Sequence, residues 1–360
     1  MILLKELKIK NLKNYYNMIR FTIYPRLIAS DNTKNNPYIE DYIRALEKDN
    51  KAKVINLPHK NSITNIIFPK NWGDVFIFNW AESIPSYTYG YFQWQSMLMI
   101  SLIFIIKLCN RKIIWMLHNK NPHQRGNEHI TKYMMNLLAH KSTLIITHAQ
   151  EGVELIKEKY PFAVNKVHFI DHPTKKRLPN HIIPYNKKTY DLIIWGNISK
   201  YKGVTDFLEF LSTNNIKKYK ICIIGKCSSP ELTKYIESFI SKNVEYIPKE
   251  ISFEELGYYI AQSNFVLTPY LSESILSSGT LMDSLSYGAK VIGPNSGSFI
   301  DYAKNDDIKV YTFHSFEDIP IIIDNFGKEE ISLEKYYTFL EKKSWSHFAE
   351  YLLKYFEKDI

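Results

Sequence analysis

The stretch PYLSESILSSGTLMDSLSYGAKVIGP, residues 269–294, joins a strand-like apolar segment to a helix-like one through the run SSGT at 277–280. Glycine at such a junction lets the backbone approach a ligand closely, and the free N–H groups of a first helical turn attract a negatively charged oxygen. The run therefore predicts a phosphate-binding turn. An ordinary helix N-cap followed by a tight turn is the alternative interpretation.

Outward from this stretch, short apolar runs alternate with longer amphipathic ones. Short runs rich in β-branched and aromatic residues are typical of buried strands, and longer runs with a helical period are typical of helices. The strand-like runs are AKVINLP (52–58), DVFIFNW (74–80), RKIIWMLHN (111–119), TLIITHA (143–149), KVHFID (166–171), YDLIIWGN (190–197), YKICIIGK (219–226), VEYIP (244–248), FVLTPY (265–270) and AKVIGP (289–294). A polar, proline-bearing segment at 175–189 separates two βαβ series. The pattern predicts two doubly wound α/β domains, residues 1–180 and 181–340.

Length and composition agree with two domains. A chain of 360 residues, 45% of them apolar, is long enough to bury two cores. Its three cysteines follow neither a disulfide nor a metal-binding pattern, which favours a reducing, cytoplasmic setting. The N-terminal segment MILLKELKIK (1–10) is too often interrupted by charge for a signal-peptide core, so we expect no export.

The net charge is unevenly spread along the chain. Residues 1–180 carry +13 and residues 181–360 carry −4, within a total of +9. A basic half can face nucleic acid, an anionic membrane surface or an acidic substrate. The sequence has no helix-turn-helix spacing, zinc finger or RNP-like aromatic pattern, so we expect no nucleic-acid partner. A lysine-rich solvated surface remains the alternative.

The apolar segment QWQSMLMISLIFIIKLC, residues 93–109, is too short to span a bilayer, which takes about 20 apolar residues. Two interpretations remain open. It is either a helix packed against the sheet or a partly exposed helix that enters a membrane interface with the help of Lys107, Arg111 and Lys112.

Ligands of open α/β sheets bind outside the carboxyl ends of the strands, so the loops after the strands carry the candidate residues. In the loop WGNISKYKG, Gly196 allows a close turn, and Lys200 and Lys202 can reach a phosphate as point charges. A surface loop with incidental lysines is the alternative. In the helix after SSGT, Asp283 can accept hydrogen bonds from a ribose diol or can compensate the helix dipole.

An ordered set of segments resembles one enzyme family. LIIWGNISKYKGVTDFLEFL, YKICIIGK and EYIPKEISFEELGYYIAQSNFVLTPYLSESILSSGTLMDSLSYGAKVIGPNSGSF resemble the C-terminal half of a GT-B glycosyltransferase of the large retaining family of bacterial polysaccharide enzymes. NPYIEDYIRAL, DVFIFNWAES and IIWMLHNKNPH resemble its acceptor half, and KSWSHFAEYLLKYF resembles its last helix. The resemblance implies two Rossmann-like domains facing a cleft, with the terminal segment 341–360 crossing back to the first domain.

The resemblance assigns roles in the nucleotide-sugar-binding domain. The Lys-Gly pair of the family falls on Lys202 and Gly203, which implies contact with the donor diphosphate. Its Ser-Gly turn falls on Ser278 and Gly279, where backbone groups beside Thr280 would hold the same diphosphate.

A third family motif is matched at one position, and the sequence departs from the family pattern at two others. The second glutamate of the paired-glutamate motif, which binds ribose, falls on Asp283, one methylene shorter. The first falls on Ile275, which cannot replace it, and Glu273 is close but out of register. The arginine that commonly follows the glycine of the first loop is Asn197. These departures leave the sugar contacts and the stereochemistry open.

Candidates in the first domain follow its strands. The resemblance implies that His118 touches the donor hexose and steadies charge at the reacting carbon, whereas a structural histidine is the alternative. Glu82 is a candidate for acceptor contact or general base. His123 and Arg125 could bind an acceptor phosphate, and Asp31 is the other early carboxylate in a loop.

The resemblance implies a hexosyltransferase that uses a nucleotide-diphosphate sugar and a lipid-linked or growing glycan acceptor in bacterial surface polysaccharide synthesis. Without an evident DxD motif we expect no metal, and Lys202 with the 278–280 amides would stabilise the leaving group. We favour a retaining enzyme that is cytoplasmic and peripheral at the inner face of an anionic membrane. The alternatives are an inverting enzyme with a carboxylate base in the first domain, an epimerase or phosphorylase on the same architecture, and a non-catalytic nucleotide-sugar-binding protein.

Overall fold

The computed structural model describes residues 18–28, 37–87, 93–121, 127–270 and 275–357. The chain divides into two compact units. The first unit comprises the chain up to His148, Gly152–Asp171 and the segment from Trp345, and the second comprises Ala149–Glu151 and His172–Ser344.

A six-stranded sheet forms the centre of the first unit, and all its pairings are parallel. Its strand order is β2-β1-β3-β4-β5-β6. The strands are β1 (Ile19–Tyr24), β2 (Ala52–Val54), β3 (Val75–Asn79), β4 (Lys112–Leu117), β5 (Leu144–Thr147) and β6 (Val167–Phe169). The residues of β3 and β5 are all buried, as expected of strands that are covered on both faces.

Helices cover this sheet. They are α1 (Pro37–Glu47), α2 (Ser62–Ile67), α3 (Ile84–Tyr87), α4 (Trp94–Leu108), α5 (Glu128–Lys141) and α6 (Gln150–Lys159), with 3-10 helices at Pro69–Asn71, Ala81–Ser83 and Pro161–Lys166. The last helix of the chain, Trp345–Glu357, belongs to this unit, and its buried face includes Phe348, Leu352 and Phe356. Phe348 meets Tyr42 of α1 edge to face, with ring centroids 5.1 Å apart.

The second unit is built around another six-stranded parallel sheet, in the order β12-β11-β10-β7-β8-β9. The strands are β7 (Tyr190–Trp195), β8 (Ile221–Ile224), β9 (Val244–Ile247), β10 (Ser263–Leu267), β11 (Val291–Pro294) and β12 (Val310–Phe313). Because successive side chains of a strand point to opposite faces, Ile193 and Val266 enter one apolar core and Leu192 and Phe265 enter the other.

The helices of the second unit are α7 (Val204–Thr213), α8 (Pro230–Glu237), α9 (Phe253–Ala261), α10 (Gly279–Ser286), α11 (Ser298–Ala303), α12 (Asp318–Phe326) and α13 (Leu333–Lys342), and the last helix of the chain is α14 (Trp345–Glu357). Short 3-10 helices lie at Tyr185–Lys187 and Lys200–Lys202. Among the described helices of both units, none has the length and apolar content needed to cross a membrane.

Candidate functional site

Glycines shape the loop that follows β7. Gly196 has a φ of +100°, a left-handed value that disfavours other residues. The neighbouring loop after β8 contains Gly225, where an added Cβ would lie 1.9 Å from the carbonyl oxygen of Gly196. The two loops therefore touch through their backbones. Further along, Gly203 has a φ of +63° and ends the 3-10 helix Lys200–Lys202 where α7 begins.

These turns place the Lys202 ammonium beside Gly196 and an aromatic ring. Lys202 Nζ lies 3.4 Å from the point that a Cβ would occupy on Gly196, and 5.7 Å from the ring centroid of Tyr270. Lys200 lies two residues earlier, at the exposed start of the 3-10 helix. The structure thus brings Gly196 and Lys202 together, with Lys200 at the edge of the same loop.

Tyr270 links this loop to the start of α10. Its hydroxyl donates a hydrogen bond to Thr280 Oγ1 at 3.0 Å. A second link joins Trp195 Nε1 to Ser284 Oγ at 2.9 Å, and Ser284 Oγ in turn donates to the Thr280 carbonyl at 2.7 Å. The carboxyl ends of β7 and β10 therefore present the two predicted diphosphate-binding turns side by side.

The start of α10 combines the two interpretations of the SSGT run. Ser278 is a true N-cap, because its buried Oγ accepts a hydrogen bond from the Leu281 N–H at 3.2 Å. A Cβ added to Gly279 would meet no atom of the described residues within 4 Å, so that part of the chain leaves the first turn open. A capped helix start with an open glycine is able to receive an anionic oxygen.

Asp283 has a partner that the sequence analysis missed. Arg177, in the segment between the two strand series, donates from Nη1 to Asp283 Oδ1 at 3.1 Å and to Ser286 Oγ at 3.0 Å. The guanidinium also lies 4.2 Å from the ring centroid of Phe253. A basic run, KKR at 175–177, was the only sequence signal for this partner.

The Asp283 carboxylate remains 29% exposed, so a ligand hydroxyl can still approach it. A cavity of about 550 Å³ lies alongside, and its wall includes Arg177, Phe253, Gly257 and Tyr287. Asp283 is thus an ion-paired carboxylate at the edge of a cavity, and its role towards ribose stays a prediction.

In the first unit, His118 follows β4 and is only 5% exposed. Its Nε2 lies 3.0 Å from Asn79 Oδ1. The amide of Asn79 is oriented by its own Nδ2, which donates to the Tyr24 carbonyl at 3.1 Å, so Oδ1 is the acceptor. His118 therefore carries a proton on Nε2 and donates it to Asn79.

Two aromatic rings fix the His118 imidazole. Trp80 stacks on it with ring centroids 4.5 Å apart, and Tyr38 meets it edge to face at 5.2 Å. Trp80 has a φ of +52°, a left-handed conformation that costs a residue with a Cβ roughly 1–2 kcal/mol. Strain of this kind persists only where the surroundings hold it, and it is common at functional positions.

Glu82 lies in the 3-10 helix after β3, which turns its side chain into the core. The carboxyl is fully buried: Oε2 accepts a hydrogen bond from Trp115 Nε1 at 3.2 Å, and Oε1 has no hydrogen-bond partner in the described part of the chain. Burial raises the pKa of Glu82 to about 7. With no exposed surface the carboxyl has no path to an acceptor hydroxyl, so a role as base would require this helix to rearrange.

A second histidine beside the His118 cluster is structural. His148 follows β5, receives a hydrogen bond from the Tyr38 hydroxyl to Nε2 at 2.9 Å, and donates from Nδ1 to the Ile170 carbonyl at 2.7 Å. Complete burial lowers the pKa of His148 to about 4, so the ring is neutral at pH 7.

The remaining predicted residues are either outside the described ranges or in the core of the second unit. Asp31, His123, Arg125 and Glu273 lie outside the described residues. Ile275, at the position of the first glutamate of the family motif, is buried in the core of the second unit. Over the described ranges, no three His, Cys, Asp or Glu side chains are grouped so that they could hold a metal ion.

Solved structures share this fold. The Anabaena protein Alr3699/HepE, solved in complex with UDP, is 10% identical with a TM-score of 0.64, over 95% of this chain and 100% of that one. A glycosyltransferase from Rickettsia africae is 14% identical with a TM-score of 0.62, over 95% and 99% of the two chains. The lipopolysaccharide outer core galactosyltransferase WaaB is 11% identical with a TM-score of 0.58, over 94% and 99%.

These likenesses confirm the predicted GT-B fold, an α/β architecture with two doubly wound Rossmann-like units and a C-terminal helix that returns to the first unit. No family model matches the chain, and no curated protein matches it.

Proposed function

We propose that this protein is a glycosyltransferase that moves a hexose from a nucleotide-diphosphate sugar to a hydroxyl group. The observation that carries the proposal is the joined pair of turns at the carboxyl ends of β7 and β10, where Tyr270 connects the Lys202 ammonium to Thr280 and the open start of α10. The fold supports it, because Alr3699/HepE with the same fold was solved with UDP and with UDP-glucose.

The chemistry of transfer explains these groups. Breaking the bond between the anomeric carbon and the diphosphate oxygen develops positive charge on the sugar and negative charge on the departing diphosphate. Lys202 supplies a cation for the diphosphate, and the backbone N–H groups at 278–280 supply oriented dipoles. Groups held in place before the reaction stabilise such charge without reorganisation. On this basis the leaving group needs no metal ion.

The first unit supplies residues for the sugar and the acceptor. His118 is held in one orientation by Asn79, Trp80 and Tyr38, as a residue that steadies charge at the anomeric carbon must be. We favour retention of configuration, because an inverting enzyme needs a carboxylate base and Glu82 is buried. Inversion with another carboxylate, such as Asp31, is the alternative.

The acceptor that we propose is a lipid-linked or growing glycan of a bacterial surface polysaccharide, reached at the cytoplasmic face of an anionic membrane. Helix α4 supports this placement. One face packs in the core through Met99, Ile103 and other residues, and the opposite face exposes an apolar row made of Trp94, Met97, Phe104, Ile105 and Leu108. Helix α4 is therefore apolar on both its buried and its exposed face, and a contiguous exposed apolar patch commonly marks a protein or membrane contact site.

Lysines lie next to this row. The ammonium of Lys141 lies 5.0 Å from the ring centroid of Phe104. Burial, followed by repulsion from Lys112, Lys166 and Lys141, lowers the pKa of Lys107. Anionic headgroups stabilise a cluster of cations that repel one another. Each lysine near the membrane surface contributes about 1 kcal/mol to binding.

The test is incubation of the purified protein with a panel of nucleotide sugars, with detection of slow donor hydrolysis by mass spectrometry. Hydrolysis of one donor, which Lys202→Ala slows by about two to three orders of magnitude, is the expected result. Binding of UDP or GDP without any turnover, in the presence of membrane extracts as acceptors, would favour the non-catalytic nucleotide-sugar-binding protein. Product analysis distinguishes transfer from epimerisation or phosphorolysis.

A further inference from the structure

A second cavity in the second unit lies at the opposite end of its sheet. Its volume is about 500 Å³, and its lining includes Lys188, Asn264 and Lys290, at the amino ends of β7, β10 and β11. Gly288 and residues of the segments 182–186 and 327–331 form the rest of the wall. Small-molecule sites commonly have volumes of roughly 300–1,000 Å³, so this cavity has the size of a ligand site. None of the residues assigned to the donor turns contributes to it.

The charged residues that line the cavity are three lysines and two glutamates, Lys188, Lys290, Lys328, Glu329 and Glu330, so the lining has a net positive charge. Lys290 Nζ donates to the carbonyls of Phe326 at 2.9 Å, Gly327 at 2.5 Å and Glu329 at 3.1 Å, which uses all three of its protons. Lys188 Nζ donates to the Ser263 carbonyl at 2.7 Å, its one hydrogen bond among the described residues. Lys290 therefore adds charge, and Lys188 has two further N–H groups to offer.

The ammonium groups are poorly solvated. Burial lowers the pKa of Lys188 to about 8, and burial together with the nearby charge of Lys188 lowers the pKa of Lys290 to about 8. Of the two lining carboxylates, Glu329 pairs with Lys309 at 2.6 Å and accepts a hydrogen bond from the Tyr311 hydroxyl, and Glu330 is exposed to solvent. An anion entering the cavity would relieve the repulsion between the two lysines.

Asn264 adds an unused acceptor. Asn264 is only 6% exposed, and its Oδ1 has no hydrogen-bond partner in the described ranges. Its Nδ2 lies 3.5 Å from Asp191 Oδ1, at the limit of hydrogen bonding. An unsatisfied buried acceptor costs about 1–3 kcal/mol, which a hydroxyl donor would remove. Ile182, Ile183 and Ile331 supply an apolar wall.

We propose that this cavity binds a small hydroxylated anion of the sugar monophosphate class, separately from the nucleotide sugar. The phosphate lies against Lys188, a hydroxyl donates to Asn264 Oδ1, and the apolar face of the sugar ring packs on the isoleucines. A compact ammonium binds phosphate as a point charge, which suits the single lysine with free donors. The proposal goes beyond glycosyl transfer, because the site lies at the amino ends of the strands.

Calorimetric titration with glucose 6-phosphate tests the site. We expect binding to the wild-type protein, a loss of at least about tenfold in affinity in Lys188→Met, and unchanged affinity in the matched control Lys187→Met. Glucose and inorganic phosphate alone should bind more weakly, because each lacks one of the two contacts. Unchanged affinity in Lys188→Met overturns the proposal. Loss of binding in Lys202→Met, with Lys188→Met unaffected, would instead place the ligand at the donor turns.

Chemical labelling tests the same site in the unmodified protein. Acetylation of the folded protein, followed by mass spectrometry, should show that glucose 6-phosphate protects Lys188 and leaves Lys187 unprotected. Equal labelling of Lys188 with and without the sugar phosphate overturns the proposal. This measurement does not depend on the folding of a variant, and it does not depend on any transferase activity.

Discussion

Lys202 is held by the shape of its loop rather than by an opposite charge. Among the described residues it makes no ion pair, and its ammonium lies beside Gly196 and the Tyr270 ring. A cation without a neutralising partner, next to an open helix start, is suited to an anionic ligand. The diphosphate of a bound donor would therefore supply the opposite charge that the Lys202 ammonium lacks among the described residues.

The first prediction concerns Lys202→Ala. We expect turnover to fall by about two to three orders of magnitude, because one lost contact to a developing anion costs roughly 3–4 kcal/mol. The melting temperature should change little, since the ammonium makes no ion pair among the described residues and lies 5.7 Å from the Tyr270 ring centroid. Steady-state kinetics with the identified donor measures the effect, and Lys217→Ala, at an exposed lysine of the same unit, is the control. Unchanged kinetics with a normal melting curve would remove Lys202 from the site.

The second prediction concerns Asp283. If its carboxylate binds the ribose diol, Asp283→Ala should weaken nucleoside diphosphate binding by about tenfold to a hundredfold and leave pyrophosphate binding unchanged, because only the nucleotide has the diol. Asp283→Glu should keep the affinity. Arg177→Met is the control, since it removes the partner and leaves the carboxylate. Equal losses for both ligands in Asp283→Ala would indicate that Asp283 only holds Arg177.

The third prediction concerns Glu82, whose pKa burial raises to about 7. Its folded pKa is above the unfolded value of about 4.5, so its stabilising effect is present below that value and is lost as pH rises towards 7. By pH 8 the buried charge should cost about 3 kcal/mol. We expect Glu82→Gln to be more stable than the wild type at pH 8, with little difference at pH 4.5.

Chemical denaturation followed by tryptophan fluorescence measures this difference. The tryptophans of the first unit, Trp115 among them, dominate the signal, and Trp195 is the one tryptophan of the second unit. An identical pH profile for Glu82→Gln and the wild type would show that the carboxyl is already solvated or paired.

At the scale of elements, periodicity located most of the fold. Ten of the twelve observed strands overlap runs predicted from the sequence. Strand β1 was not predicted, because Arg20 and Thr22 interrupt its apolar run, and β12 was not predicted either. Yet β1 lies inside the first sheet, between β2 and β3. Its inner position follows from parallel pairing with both neighbours, which no local pattern encodes.

The candidate site was predictable only in part for the same reason. Positions after strands identified Gly196, Lys202 and the SSGT run, since parallel strands gather their carboxyl ends at one edge. The contacts of Tyr270 with Thr280 and of Arg177 with Asp283 depend on long-range packing. The inward turn of Glu82 depends on a three-residue 3-10 helix, too short to have a period.

The fourth prediction concerns the start of α10. Gly279→Ala should leave stability unchanged or slightly higher, because the added Cβ meets no atom of the described residues and alanine favours a helix over glycine by roughly 0.5–1 kcal/mol. Nucleoside diphosphate affinity should fall by about tenfold, since the same free space is where the diphosphate would lie. Gly225→Ala is the contrasting variant, because its Cβ would clash with Gly196 and should lower stability as well. Unchanged affinity in Gly279→Ala would mean that the helix start is only a capped turn.

In the whole molecule, the uneven charge of the sequence follows the division into two units. The basic half of the sequence forms most of the first unit, and the acidic half forms most of the second. The lysines of the N-terminal segment, Lys5, Lys8, Lys10 and Lys13, lie outside the described residues. The described part of the basic half contributes the exposed row of α4 and the neighbouring lysines. A membrane role should therefore depend on residues of the first unit alone.

The last prediction is reversible binding to anionic vesicles. Each lysine near the surface contributes about 1 kcal/mol, and salt weakens the attraction because the Debye length is about 8 Å at physiological ionic strength. Co-sedimentation should show binding to anionic vesicles at low salt, weaker binding at high salt, and little binding to neutral vesicles. The pair Lys107→Gln and Lys141→Gln should reduce it, and so should Leu108→Ser, which removes a side chain that is 85% exposed. The matched pair Lys217→Gln and Lys234→Gln, exposed in the second unit, removes the same charge and should bind normally. Binding that ignores lipid charge and salt would mean that the lysines are a solvated surface, and a soluble acceptor would then be the better proposal.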